Sequence, residues 1–214
     1  MLVAPSLLAA DFLHLESEVA MLNAGADWIH LDVMDGTFVP NMSFGFSVLE
    51  AIAPVVLKPM DVHLMVVSPD RWFKRLADLG VESVSFHYEA AGRRTAANIR
   101  EIQSLGMKAG VVINPDVPVQ KLYPYIGKAD FFLIMSVFAG FGGQKFIYES
   151  LDRVSRLRAA IERRGCNALI EVDGGVSASN AAALREAGAD VVVAGSSVFK
   201  SQDPLAVMQA LREA

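Results

Sequence analysis

Cysteine is almost missing from this chain, which has one, Cys166, among 214 residues. No internal disulfide can form, and a lone thiol accords with a reducing compartment. Long apolar runs are missing too: none approaches the roughly 18 residues that a membrane helix needs, so no membrane partner is expected. The opening Met1-Leu2-Val3-Ala4-Pro5 lacks a basic segment followed by an apolar stretch and a cleavage site, and a cytoplasmic location is the expectation. Positive charge is in short supply, the net charge being -5, whereas binding a phosphate backbone needs a concentrated basic surface. Arg153, Arg156, Arg158, Arg163 and Arg164 read as a solvated helix face, since Asp152 and Glu162 are interspersed among them. No nucleic-acid partner is expected. Neither G-x-x-x-x-G-K-[ST] nor G-x-G-x-x-G occurs, which argues against nucleoside triphosphate and dinucleotide chemistry.

What is abundant is apolar surface, 53% of the residues, enough for a large core. Strand-like and helix-like segments alternate from end to end. Strands are expected over Leu2 to Ser6, Trp28 to Val33, Met60 to Met65, Ser83 to His87, Ala109 to Ile113, Phe131 to Met135, Leu169 to Val172 and Val191 to Ala194. Helical patterns fall around Leu13 to Asn23, Ser47 to Ala53, Pro69 to Leu79, Ala96 to Leu105, Val117 to Tyr123, Glu149 to Arg163, Ser179 to Glu186 and Pro204 to Leu211. Asp11, Ser68-Pro69 and Asp203-Pro204 supply start signals. Gly25, Gly80, Gly106 and Gly188 each stand where a left-handed residue would end a helix. Eight such units with no low-complexity stretch between them predict a (β/α)8 TIM barrel, one catalytic domain over residues 1–214, rather than a doubly wound open sheet.

Four metal-ligand side chains lie at the carboxyl ends of these strands: His30, Asp32, His63 and Asp173. Residues two apart share a strand face, so His30 and Asp32 point the same way. Barrel enzymes place their chemistry at this end, and four such groups in an interior otherwise filled with Val, Ile and Leu are costly unless they bind something. Two imidazoles and two carboxylates suit one divalent ion, zinc first, with iron(II), manganese or cobalt as alternatives. His87, with only Glu89 nearby in sequence, reads as a supporting or structural residue. Met34, Met65 and Met135 keep register with the ligands and are expected to form an apolar collar at the barrel mouth.

Glycines gather after strands six, seven and eight, in Gly140-Phe141-Gly142-Gly143-Gln144, Asp173-Gly174-Gly175 and Ala194-Gly195-Ser196. They let backbone N–H groups approach an oxyanion, and the loops after strands seven and eight are the usual phosphate grip of this fold. A phosphorylated small molecule is the expected substrate. Asp32 and Asp173 sit on strands three steps apart around the ring and can flank a flat substrate. One carboxylate takes a proton beside a carbonyl, a metal stabilises the resulting ene-diolate, and the other carboxylate returns a proton to the opposite face. The net result is inversion of one carbon.

Over essentially its whole length the chain resembles the ribulose-phosphate 3-epimerase family. The resemblance is carried by Ala4-Pro5-Ser6-Leu7-Leu8-Ala9-Ala10-Asp11-Phe12, His30-Leu31-Asp32-Val33-Met34-Asp35-Gly36, Phe38-Val39-Pro40-Asn41, Asp61-Val62-His63-Leu64-Met65, Met135-Ser136-Val137, Gly140-Phe141-Gly142-Gly143-Gln144 and Glu171-Val172-Asp173-Gly174-Gly175. It implies interconversion of D-ribulose 5-phosphate and D-xylulose 5-phosphate in the pentose phosphate pathway. It also implies Asp32 as proton acceptor, Asp173 as proton donor, and His30, Asp32, His63 and Asp173 as ligands. Ser6 and His63 would lie near the sugar, and Gly140, Phe141, Gly142, Gly143, Gly174, Gly175, Gly195 and Ser196 along the substrate and its phosphate. A homo-oligomer is expected. The chain departs from the family at Phe138-Ala139, where Asn-Pro is typical, at Thr37, where His is common, and at Val117, where Thr is usual. A 3-epimerase of a ketohexose 6-phosphate such as D-allulose 6-phosphate is the nearest alternative, but it favours alanine where this chain keeps Gly142. A phosphosugar-binding barrel without catalysis is the non-enzyme alternative.

Overall fold

In the computed structural model, which describes residues 1–214, eight parallel strands form one sheet. They are β1 (Leu2–Pro5), β2 (Ile29–Met34), β3 (Met60–Met65), β4 (Ser83–His87), β5 (Lys108–Ile113), β6 (Phe131–Met135), β7 (Leu169–Asp173) and β8 (Val191–Ala194). Their order, β1-β8-β7-β6-β5-β4-β3-β2, leaves β1 and β2 at the two ends. A parallel bridge between Ser6 and His30 brings those ends together, which makes the sheet the expected barrel.

Helices fill the crossovers: α1 (Leu15–Gly25), α2 (Phe46–Ile52), α3 (Phe73–Asp78), α4 (Tyr88–Ala91), α5 (Thr95–Ser104), α6 (Ser150–Arg163), α7 (Ala178–Ala187), α8 (Ser196–Phe199) and α9 (Pro204–Glu213). Three expectations need correction. Gly25 does not end its helix in a left-handed turn but is the last helical residue of α1, where α9 packs so closely that a Cβ would come within 2.5 Å of Met208 Cε. Its role is close helix approach. The helix expected over Val117 to Tyr123 is a 3-10 run, Val119–Tyr125, with Pro124 inside it; proline has no N–H for an α-helical bond. Asp11 caps a turn, accepting from Leu13 N at 3.0 Å, and α1 begins only at Leu15. The left-handed glycines at Gly80, Gly106 and Gly188 are as expected, with φ of 75°, 86° and 103°.

The two faces of the strands differ sharply. Outward residues such as Val62, Leu64, Val84, Phe86, Ile134 and Val172 join the helices in the large apolar core. The inward apolar residues fall instead into small separate clusters: Ala4 with Val191 and Val193, Val112 with Leu133 and Met135, and Met34 with Met65. What separates them is polar. His30, Asp32, Asp61, His63, Ser83, Ser85, His87 and Glu171 are all buried, and strand register stacks most of them in rows. His30 pairs with Asp61 and Asp61 with Ser83, while one step up Asp32 pairs with His63 and His63 with Ser85.

Candidate active site

The upper row meets a cavity of about 420 Å³ at the carboxyl ends of the strands. Asp32, at the top of β2, gives its two oxygens different partners. Oδ2 accepts a hydrogen bond from Ser6 Oγ at 2.6 Å, while Oδ1 lies 3.2 Å from His63 Nδ1 and 3.4 Å from His30 Nε2. Asp173 Oδ2, at the end of β7, lies 3.9 Å from His63 Nδ1. One ligand atom from each of His30, Asp32, His63 and Asp173 falls within 4.8 Å of the others. His30 Nε2 is buried with no hydrogen-bond partner. An orphaned donor atom aimed among two carboxylates and a second imidazole fits a cation, since leaving it unpaired is costly.

The electrostatics of the four groups diverge. Burial works against charge on Asp32, yet the His30 and His63 imidazoles around it hold its carboxyl well below the usual range. Burial and the neighbouring Asp32 charge push Asp173 up to about 7. Burial lowers His63 to about 4. Burial opposes charge on His30 as well, but the neighbouring Asp32 charge, the bond to Asp61 and the nearby Glu171 hold that imidazole well above its ordinary value.

Met34, Met65 and Met135 line the cavity and are themselves buried, so the collar exists as geometry. Ser6, Gly140, Phe141, Gly142, Gly143, Gly174, Gly175, Gly195 and Ser196 also line it, whereas His30 and His63 lie beneath its floor. The glycines after β7 are dictated by crowding. Gly174 has φ of 121° and a Cβ there would sit 2.4 Å from Val137 Cγ2; at Gly175, with φ of 63°, it would sit 2.6 Å from Phe146 N. Ser136 Oγ donates to the Gly174 carbonyl at 2.6 Å and fixes the same turn.

Several residues beside the site carry weight that sequence reasoning did not give them. Gln144 ties the glycine loop to itself by donating to the carbonyls of Phe138 (2.7 Å) and Phe141 (2.8 Å), and Asn41 reaches across to the Gly140 carbonyl at 2.8 Å. Arg153 is not on a solvated helix face: it turns inward and donates to the carbonyls of Met135, Asn114 and Val117, joining the end of β6 to the loop after β5. Arg158 likewise is bonded, to Gly188 O and Asp190. Lys200, just past α8, is the one cationic side chain on the cavity lining. Below the site, Asp61, Ser83 and Glu171 extend the polar column. Asp61 and Glu171 lie two residues before His63 and Asp173, so the alternation that paired His30 with Asp32 already marked them as inward-facing.

The sequence profile of the family described as Ribulose-phosphate 3 epimerase family matches residues 2–199. A Synechocystis protein named ribulose-phosphate 3-epimerase is 47% identical over 204 residues, covering 93% of this chain and 87% of its own length. Its namesake in Bacillus subtilis is 44% identical, with 94% and 93% covered, and that of Mycobacterium bovis 44% identical, with 99% and 91% covered. Among solved structures, a 3-hexulose-6-phosphate synthase superposes with a TM-score of 0.73 at 18% identity, covering 100% of this chain and 99% of the other. The tryptophan synthase alpha-subunit of Pyrococcus furiosus gives 0.70 at 16% identity, with 100% and 96% covered. These two likenesses are likenesses of fold.

Proposed function

Because the chain belongs to the ribulose-phosphate 3-epimerase family, we propose that it interconverts D-ribulose 5-phosphate and D-xylulose 5-phosphate by inverting the carbon next to the carbonyl. One observation carries the reading. Asp32 and Asp173 face one cavity from strands three apart, and their surroundings push their proton affinities in opposite directions, Asp32 down and Asp173 up to about 7. Two carboxyls driven apart in this way suit a base and an acid at the same pH.

Asp32, kept ionised, takes the proton from one face of the substrate. Ser6 Oγ steadies its Oδ2 oxygen at 2.6 Å. Asp173, which retains its proton, delivers it to the opposite face, and the return reaction exchanges the roles. His30, Asp32, His63 and Asp173 would hold one divalent ion, zinc first, with iron(II), manganese or cobalt as the other candidates, because the set mixes imidazole and carboxylate. When bound, the ion supplies Lewis-acid stabilisation for charge developing on the substrate oxygens. The buried collar of Met34, Met65 and Met135 keeps water from the reacting carbon. The loops at Gly140 to Gly143, Gly174, Gly175, Gly195 and Ser196 take the phosphate end, and the lone lining cation, Lys200, favours an anionic group there. A homo-oligomer belongs to the same reading, and the unpaired Cys166 accords with the cytoplasm.

Incubation with D-ribulose 5-phosphate in deuterated water tests the reading. Xylulose 5-phosphate should form with deuterium at the inverted carbon, activity should vanish with a strong chelator and return with a divalent metal, and unphosphorylated D-ribulose should react poorly. Binding without exchange would leave a phosphosugar-binding barrel. Faster turnover of a ketohexose 6-phosphate would move the substrate, with Phe138-Ala139 as the place to look.

A further inference from the structure

The two histidines of the cluster present opposite ring nitrogens to it. His30 turns Nε2 toward Asp32 Oδ1, whereas His63 turns Nδ1 toward Asp32 Oδ1 and Asp173 Oδ2. Each ring's other nitrogen is engaged by a buried residue that touches neither the cavity nor the two aspartates. His30 Nδ1 lies 2.6 Å from Asp61 Oδ2, and the other oxygen of Asp61 accepts from Ser83 Oγ at 2.6 Å. His63 Nε2 lies 2.9 Å from His87 Nε2, the two rings stacking at 24° with centroids 5.0 Å apart.

We propose that Asp61 and His87 are positioning residues that act through the two histidines, fixing which nitrogen of each ring is bare and where it points. The inference rests on the metal reading above. Proton counting carries it. Asp61 is an acceptor on both oxygens, so the His30 proton sits on Nδ1 and Nε2 is left for a cation. Two nitrogens 2.9 Å apart share one proton. If His63 Nδ1 is to be bare, that shared proton belongs to His63 Nε2 and His87 Nε2 accepts it. His87 then carries its own proton on Nδ1, where Asn114 Nδ2 lies 3.4 Å away and Glu89 Oε1 3.7 Å. Glu89 is in turn held by Asn114, whose backbone N–H and side-chain amide donate to it at 2.9 and 3.0 Å. A carboxylate thus stands behind each imidazole, directly for His30 and through one more ring for His63. Partners of this kind fix ring orientation and tautomer, and losing one costs about 10–100-fold in metal affinity.

The test uses full-length protein stripped of metal and titrated with zinc against a chromophoric chelator, together with ¹⁵N NMR of the imidazoles in the zinc-loaded form. The chain has only four histidines, so the spectrum is tractable. His30 should show Nε2 bound and Nδ1 protonated, and His63 the reverse. His87→Leu, which removes the acceptor, should weaken zinc binding by about 10–100-fold; His87→Gln, whose amide oxygen can accept the same proton, should recover much of the loss. Asp61→Asn, which keeps an acceptor oxygen but not the charge, should weaken binding less than removing the side chain. The wild-type spectrum can overturn the proposal even where a variant does not fold. Binding of zinc through the same nitrogen on both rings would overturn the proposal, as would equal affinity in His87→Leu and wild type, or equal losses in His87→Leu and His87→Gln. A wild type that binds no divalent metal overturns the metal reading and this inference together, whereas normal wild-type binding with unaffected variants overturns this inference alone.

Discussion

The barrel interior holds two polar layers one strand step apart, made of the same residue types. In the upper layer Asp32 and Asp173 line the cavity, with His63 just beneath its floor; in the lower, His30, Asp61, Ser83 and Glu171 are sealed from it. Depth changes what the same carboxyl group does. Asp173 retains access to the cavity, and burial with the Asp32 charge sets it near neutrality, up to about 7. Glu171 has no exposure, and burial with the Asp61 charge pushes it up to about 8. The first can exchange a proton with a guest; the second holds its proton in place. In the proposed mechanism, chemistry and support are therefore separated by a single i, i+2 step along β7.

The sharpest break of this comparison is at the upper layer. Asp32→Asn or Asp173→Asn should lower kcat by about 10²–10⁴-fold, the range of a lost general acid or base; Asp173→Asn should leave thermal unfolding close to wild type, whereas Asp32→Asn, which removes the buried charge that His30 and His63 surround, should also lower Tm. Metal content must be measured alongside, since both residues belong to the proposed ligand set. Turnover at the wild-type rate in a metal-loaded variant would remove either residue from the chemistry.

The lower layer should fail in the opposite way. Asp61→Ala strands His30 Nδ1 and Ser83 Oγ in a dry interior, and removing one partner from a buried pair costs about 3–5 kcal/mol. At about 2–4 °C of Tm for each kcal/mol in a domain of this size, calorimetry reads the loss directly. An unchanged Tm would mean that the layer contributes no support.

A pH series on metal-free protein distinguishes the layers less abruptly. His30, Asp173 and Glu171 all have folded proton affinities above their ordinary values, so their contribution is complete at low pH and is lost as pH rises through about 7 for Asp173, about 8 for Glu171 and above the ordinary range for His30. His63, lowered to about 4, acts between there and its ordinary 6.5 and does not enter this window. Asp32, held low, contributes throughout it. Tm should fall from pH 6.5 to pH 9 and flatten when a divalent metal is added; a level profile without metal would contradict the charge assignments. The smallest effect belongs to Glu171→Gln. It replaces a carboxyl that already holds its proton at neutral pH, so kinetics and Tm at pH 7 should scarcely move, and the high-pH loss of stability should shrink. A large loss of activity at pH 7 would show that Glu171 must ionise.

How far each element could be read in advance follows from how local its cause is. The eight strands and the candidate ligand positions are legible because alternation and the capping glycines are properties of short segments. Gly25 misleads because a glycine before a strand has two uses, a left-handed stop or a close contact, and only α9 packing on it decides between them. Arg153 misleads in the same way, its helix spacing being that of a solvated residue while its partners, the Met135, Asn114 and Val117 carbonyls, come from the end of β6 and the loop after β5. Asp61 and Glu171 were within reach of the alternation rule but had no motif to single them out.

Side-chain alternation and left-handed turns are set by the local backbone, so the order of residues alone puts His30 and Asp32 on one face, Asp61 with His63, Glu171 with Asp173, and glycines after the last three strands. Tertiary structure alone decided that Asp61 stands opposite His30 and not opposite Asp32, that His87 meets Nε2 of His63, and that Asp32 and Asp173 border one cavity. Strand register and ring closure place residues that are far apart in the chain against one another, and the packing of the whole barrel, rather than any segment of it, fixes both.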